Sequence, residues 1–341
     1  MTAPAPGSPS FLRRLLPLLL TLTVFTYIFQ RIPFARFWQA LEGADHMRFA
    51  ALMVPNGLLY FAWDTLVLVL AMRWFHGPIR YGELLPVRAV TYVVSFLNTN
   101  LARAATAYYL TRKLDSPFLP LAGTVIFLTL LEMTHLVLWA TVGMLLFPEP
   151  VPRALLSVPI GFLVAWALVI AYAQARPASS RASATAELPN SARRWKPVRE
   201  WAIFQTFAKA PVRRYAQVIL LRAPLFAASL GFHYFAVQTF GMEIPLIKMV
   251  AFLPIIFMLA ALPITVAHLG TTQAAWIFFF REHAPEAQLL AYSLASHLAF
   301  MLARASLGLL FLPRAYRDLF GPVPWKELLT ARQPATQSTD G

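Results

Sequence analysis

Asp64, Glu132, His135, His233, His297 and Arg304 all lie within stretches otherwise apolar enough to sit in lipid. An ionisable group at membrane depth is costly and normally faces the bundle interior, so each is a functional candidate. Glu132 and His135 stand three residues apart on one helical face and form a candidate acid/base pair. The same spacing occurs in carboxylate-bridged di-metal bundles. Those need a second Glu/His pair and two further carboxylates, and the sequence has no second pair. Glu132 and Arg304 are expected to be ion-pair partners. Asp64 is expected to be satisfied by a neighbouring Ser, Thr or Arg. His233 and His297 read as structural, because histidine is the cheapest ionisable side chain to bury neutral. Arg222 is near enough to a span end to snorkel.

Two apolar stretches carry polar breaks at matching places in the two halves of the chain. Residues 87–110 are interrupted by Ser95-Phe-Leu-Asn98-Thr-Asn100-Leu-Ala-Arg103. Residues 246–280 are interrupted by Leu262-Pro-Ile-Thr-Val-Ala-His268-Leu-Gly270-Thr271-Thr272-Gln273. Lipid cannot hydrogen-bond unwound backbone, so such breaks persist only where protein or a water-filled cavity surrounds them. Half-helix N-termini present partial positive charge, and Arg103 adds a fixed fork of donors. Asn98, Asn100, His268, Thr271, Thr272 and Gln273 supply further polar contacts, and Gly270 permits close approach of the backbone. These tips suit an anionic head group such as a phosphate ester. The alternative is that the polar groups only cap the half-helices.

The elements that must position these residues are helical spans. The chain of 341 residues is 58% hydrophobic and 13% charged, the composition of an all-α, polytopic membrane protein. Its formal charge of +14 suits basic loops facing anionic lipid better than it suits nucleic acid. Full spans are expected near 13–31, 49–73, 117–147, 154–175, 214–240 and 287–312. Arg13 and Arg14 precede the first span without a convincing cleavage site, so that helix is read as retained. The basic connector at 176–213 places itself in the cytoplasm. Four crossings must then precede it, which leaves no crossing for 87–110. The stretch 246–280, as one helix, would reach roughly 50 Å, against a core of about 30 Å. Both broken stretches therefore read as re-entrant hairpins, near 87–111 and 246–281, entering from opposite sides. The result is an inverted-topology repeat, 13–175 and 214–313. The competing reading makes 87–110 an ordinary span. Residues 1–12 and the cytoplasmic tail 314–341 frame the repeats, with residues 1–10 and those beyond about 328 read as disordered on composition. Residues 36–48 read as an interfacial helix anchored by Trp38 and Phe49.

The tips resemble those of the flippase-like membrane region of the lysylphosphatidylglycerol synthase superfamily. The likeness spans most of the chain. It rests on Asn98-Thr-Asn-Leu-Ala-Arg103 with Tyr109-Leu-Thr-Arg112, on mid-helix Glu132, on Leu262-Pro263-Ile264 before Gly270, and on Arg304. The sequence departs from the family pattern at three places. A Gly-Glu pair of the first tip falls near Ala105-Thr106, Gln273 stands where the second tip's Glu would be, and Met133 replaces an arginine. The resemblance implies a stand-alone, divergent relative of a membrane part that flips an aminoacylated lipid in fused proteins.

Three functions are open at this point. The first is a translocator of an anionic phospholipid or polyprenyl-phosphate lipid in the cytoplasmic membrane, both termini inside. The second is a non-transporting membrane partner that recruits a soluble lipid-modifying enzyme. The third is an enzyme acting on lipid phosphate through Glu132 and His135. No nucleotide loop, nucleophile elbow or H-E-x-x-H helix is present, and the absence of cysteine excludes thiolate chemistry. No enzyme activity, cofactor, metal or nucleic acid is expected.

Overall fold

The computed structural model describes residues 11–97, 99–146, 153–174, 201–261 and 269–320. The described residues are helical, with no strand among them. In chain order the helices are α1 (Phe11–Arg31), α2 (Phe34–Glu42), α3 (His46–Phe75), α4 (Tyr81–Leu97), α5 (Thr99–Leu114), α6 (Phe118–Leu145) and α7 (Arg153–Gln174). After a 3-10 turn at Ala202–Phe204 come α8 (Gln205–Lys209), α9 (Val212–Gln238), α10 (Leu246–Ala261), α11 (Thr271–Phe280) and α12 (Glu286–Phe320). The expected loop around 147–153 (apart from Arg153), most of the connector, both tip residues Asn98 and His268, and the tail from 321 lie outside the described residues.

Among the described residues, four helices are long and apolar enough to cross a membrane: α3, α6, α9 and the 286–315 part of α12. They correspond to four of the expected spans. The expected span at 13–31 is α1, which together with α2 passes as a fifth only as a pair bent by 87°. The stretch in α7 that is both described and apolar is shorter, Pro159–Tyr172. The stretch 36–48 expected as one interfacial helix is divided, since residues 46–48 belong to α3, and Pro33 separates α1 from α2. Trp38 is half exposed there and donates to Glu42. Phe49 does not act as an anchor. It is buried in α3, edge-on to Phe240 and Tyr292, because the helix restarts at Asp45, whose side chain accepts from the Arg48 amide.

The helices flanking the breaks are short. α4 and α5 have 17 and 16 residues, α10 and α11 have 16 and 10. At 1.5 Å per residue each is shorter than a hydrocarbon core of about 30 Å. α4 packs on α5, and α10 on α11. The contacts of α3–α6 recur in α9–α12: α5 with α6 matches α11 with α12, and α3 with α4 matches α9 with α10. Between the two sets, α4 lies along α12 as α10 lies along α6, and α3 meets α9.

Glycine permits both of the long crossings. A Cβ on Gly143 of α6 would collide with the backbone of Ala251 in α10, and one on Gly308 of α12 with Val93 and the Ala89 carbonyl in α4. Without water to drive association, such close backbone packing is what holds helices together in lipid. The described end of the connector is docked. Phe207 is buried against Phe127 and Trp166, and Gly123 of α6 leaves room for the Ile203 carbonyl.

Among the described residues, two large apolar cores form, beside a small cluster of Phe61, Ala89 and Tyr92. One gathers Met53, Leu136, Phe226, Trp276 and Tyr292, the other Val67, Phe127, Leu131, Phe207 and Val218. Asp64 of α3, Glu132 of α6 and Arg222 of α9 fall between these two cores along their helices.

Candidate functional site

Proline inside α9 prepares the site. Pro224 has no amide hydrogen to give the Leu220 carbonyl, and at the next residue Trp63 of α3 donates to the Leu221 carbonyl at 2.6 Å. This brings Arg222 against the face of α3 that carries Tyr60 and Asp64, one helical turn apart. Arg222 is 4% exposed and reaches two carboxylates, Asp64 at 3.3 Å and Glu132 at 3.4 Å. Arg88 of α4 also pairs with Asp64, and the Tyr92 hydroxyl, one turn on in α4, donates to the same carboxylate at 3.1 Å. Tyr60 donates to Glu132 at 2.7 Å. Asp64 and Glu132 are thus bridged by one guanidinium, and each accepts from a tyrosine. This saturation is what makes buried charge tolerable.

A second arginine layer lies beside the first. The Arg304 guanidinium sits 4.3 Å from the centroid of Tyr92 and 4.2 Å from that of Phe300. Arg88 approaches the same Tyr92 ring at 5.0 Å. These groups border a cavity of about 310 Å³ to which α3, α4, α5, α6, α9, α10, α11 and α12 all contribute residues. Arg103, Ser95 and Ala102 reach it from the flanks of the first break, and Ala260, Ala261 and Thr272 from those of the second. Its apolar wall includes Leu128, Ile256, Phe257 and Trp276. Asn56 Oδ1 and the Nε atoms of Arg88, Arg222 and Arg304 are buried with no hydrogen-bond partner among the described residues. Unsatisfied polar atoms around a cavity are the mark of a polar occupant or of water.

No curated protein matches this chain. The family defined by the lysylphosphatidylglycerol synthase TM region matches residues 14–308. The chain belongs to that family. Its membership agrees with the resemblance carried by the tip motifs, Glu132 and Arg304, and makes the chain a membrane protein related to lipid-modifying or flippase-type proteins.

As a member of the lysylphosphatidylglycerol synthase TM-region family, the chain has substitutions that the structure gives local roles. Thr106, near the Gly-Glu position, is fully buried and donates to the Ala102 carbonyl. Gln273 is fully buried too. Its side-chain oxygen accepts from the Gly270 amide at 2.7 Å, folding back on the first turn of its own helix. Gly270 has φ +92° and lies against Val24 and Thr21 of α1, so a side chain there would be strained. Met133, at the arginine position, lines the cavity.

The expected site residues divide accordingly. Arg103, Thr272, Asp64, Glu132 and Arg304 border one cavity. Gln273 caps a helix, Thr271 starts it, and Asn100 belongs to the first turn of α5. His135 is buried edge-on to Phe226, with Nδ1 3.4 Å from the Glu132 main-chain carbonyl, while the Glu132 carboxylate is engaged by Tyr60 and Arg222. His233 lines the cavity and shares a 2.6 Å hydrogen bond with Tyr292. Among the described residues, no three His, Asp or Glu side chains converge to hold a metal.

Two expectations are corrected. Glu132 pairs with Arg222 in place of Arg304, because α9 crosses α6 at the depth of Glu132 whereas Arg304 is held on aromatic rings. Arg222 is interior and does not snorkel. Sequence reasoning also passed over Tyr60 and Tyr92. The available signal was an arginine and a tyrosine four apart on an apolar helix, Arg88 and Tyr92.

Proposed function

We propose that this chain translocates a lipid whose anionic head group enters the arginine-lined cavity, the broken helices on either side alternating its access between leaflets. The carrying observation is the cavity itself, bordered by Arg88, Arg103, Arg222 and Arg304, walled by apolar residues, and reached from the flanks of both breaks. An arginine fork and an apolar wall together match a phosphate ester attached to acyl or prenyl chains. The α4–α5 and α10–α11 pairs are read as re-entrant hairpins of an inverted repeat. Arms shorter than the bilayer core and the paired α4–α12 and α10–α6 crossings support that reading. With the basic connector and both termini cytoplasmic, the two hairpins enter from opposite faces.

The test is transfer of a fluorescent anionic phospholipid between the leaflets of vesicles containing the purified protein. Wild-type protein should accelerate it, and Arg103→Gln should slow it by roughly tenfold, about the value of one charge-assisted hydrogen bond. Its melting temperature should stay near that of wild type. Rapid transfer by the variant, or its failure to insert, would remove Arg103 from the head-group site.

A further inference from the structure

Resting on that reading, we infer that the head group carries, beyond its phosphate, an uncharged ring of hydroxyls, a sugar or cyclic polyol, and that Asn56 and Ser229 bind that ring. α3 and α9 run antiparallel in a fixed register. Trp63 donates to the Leu221 carbonyl, and the Asp45 amide just before α3 donates to the Thr239 carbonyl just after α9. The two contacts are the same number of residues apart on both strands of chain, so Asn56 and Ser229 lie level with each other. Asn56 stands two turns before Asp64, roughly 12 Å along α3, and Ser229 two turns after Arg222. Both border the same cavity as the charged cluster. α12 brings Phe300 to this depth, where a Cβ on Gly57 would be 3.7 Å from its ring. The cavity therefore has two layers. Guanidinium groups and engaged carboxylates form one, and an amide, a hydroxyl and an aromatic ring form the next.

The second layer suits hydroxyl groups. Asn56 is 2% exposed, and its Oδ1 accepts no hydrogen bond from Ser229 or any other described residue. A buried amide without partners is costly, so one that borders a cavity marks where an occupant is met. The amide offers donors and an acceptor together. A hydroxyl answers both, whereas an ammonium only donates and a methyl group does neither. Phe257 of α10 and Phe300 of α12 border the cavity as well. A group that meets polar side chains from two helices and phenyl rings from two others needs hydroxyls at its edge and C–H faces above and below. A ring polyol has that shape, and the short chain of a glycerol does not. With its phosphate among the arginines, such a ring extends toward Asn56 and Ser229.

The experiment titrates purified protein in mild detergent with lipid phosphodiesters and reads an apparent Kd from the thermal shift. A phosphatidylinositol and a polyprenyl phosphoglucose are each compared with the ethyl phosphodiester of the same lipid, which keeps the charge and the chains and lacks the hydroxyls. Phosphatidylglycerol and the water-soluble glycerophosphoinositol complete the set. At least one ring-bearing lipid should bind about tenfold tighter than its ethyl counterpart, the worth of a neutral hydrogen bond or two, and tighter than phosphatidylglycerol. Asn56→Leu, which keeps the branched shape and removes the amide, should abolish most of that preference and leave the ethyl lipids bound as before. Ser229→Ala should remove a smaller share, and it alone decides if Asn56→Leu does not fold. Equal binding of ring and ethyl lipids by wild type overturns the inference and leaves the lipid translocator standing. Phosphatidylglycerol binding as tightly as the ring lipids overturns the ring. A preference unchanged in both variants removes Asn56 and Ser229 from the site. Glycerophosphoinositol binding as tightly as phosphatidylinositol overturns the lipid source, and with it the proposed translocation. No binding of any lipid overturns both.

Discussion

Arg222 ties the cluster together, because it pairs with both Asp64 and Glu132. Removing one member of such a cluster leaves the others uncompensated, at a cost of roughly 3–5 kcal/mol. Glu132→Gln and Arg222→Met should each lower the stability of the detergent-solubilised protein, and the double variant should lose less than their sum. Glu132→Gln combined with Arg304→Met should come closer to additivity. Melting free energies of the single and double variants decide it, and strict additivity for the Glu132–Arg222 pair would mean that the contact carries no coupling. His76 gives a pH dependence at the end of α3. Its ring is 2.7 Å from Thr124, which in turn lies 2.6 Å from Thr206 of α8. Burial, and then the Lys209 ammonium, lower its pKa from the ordinary 6.5. A depressed folded pKa means that the unfolded chain binds the extra proton, so this stability is present above 6.5 and is lost as pH falls through the folded pKa. Melting temperatures between about pH 5 and 8 should fall toward acid more steeply for wild type than for His76→Gln. Identical slopes would show that His76 adds nothing.

At the level of elements, the molecule is held by close helix crossings that only glycine allows. The Gly143 site faces the Ala251 backbone, which cannot move aside as a side-chain tip can. Gly143→Ala should therefore destabilise by about 1–3 kcal/mol, the usual cost of overpacking. Gly231 of α9 has open space where a Cβ would stand. Gly231→Ala should be neutral or stabilising by up to about 1 kcal/mol, because alanine is the better helix former. The two variants have the same chemistry and opposite surroundings, so their difference in denaturation isolates the α6–α10 contact. If both behave alike, the crossing is looser than described.

For the whole molecule, the open quantity is orientation, which the proposed alternation of access requires. The chain has no cysteine, so single cysteines report cleanly. A cysteine at Ser183 in the basic connector should resist an impermeant maleimide in intact cells and react after permeabilisation. Labelling in intact cells would falsify the cytoplasmic connector and reverse both hairpins.

Membrane residence, the break near Asn98 and the break before Gly270 could be read from the sequence, because burial in lipid depends on composition and on local backbone needs that neighbouring residues declare. Individual candidates were legible for the same reason: Asp64, Glu132 and Arg304 are conspicuous wherever apolar residues surround them. Their partners were not. Which cation meets Glu132 depends on where α9 crosses α6, and that crossing follows from side-chain packing, a proline in α9 and glycines at distant contacts. Arg222 looked peripheral because distance along one helix was taken as depth, whereas it is drawn inward by carboxylates on α3 and α6. Gln273 looked like a ligand by residue type, yet the tertiary fold closes α1 over Gly270 and turns the amide back to cap its own helix. Charge type is a property of the residue and survives in any fold; charge pairing is a property of long-range contact, and only the assembled bundle decides it.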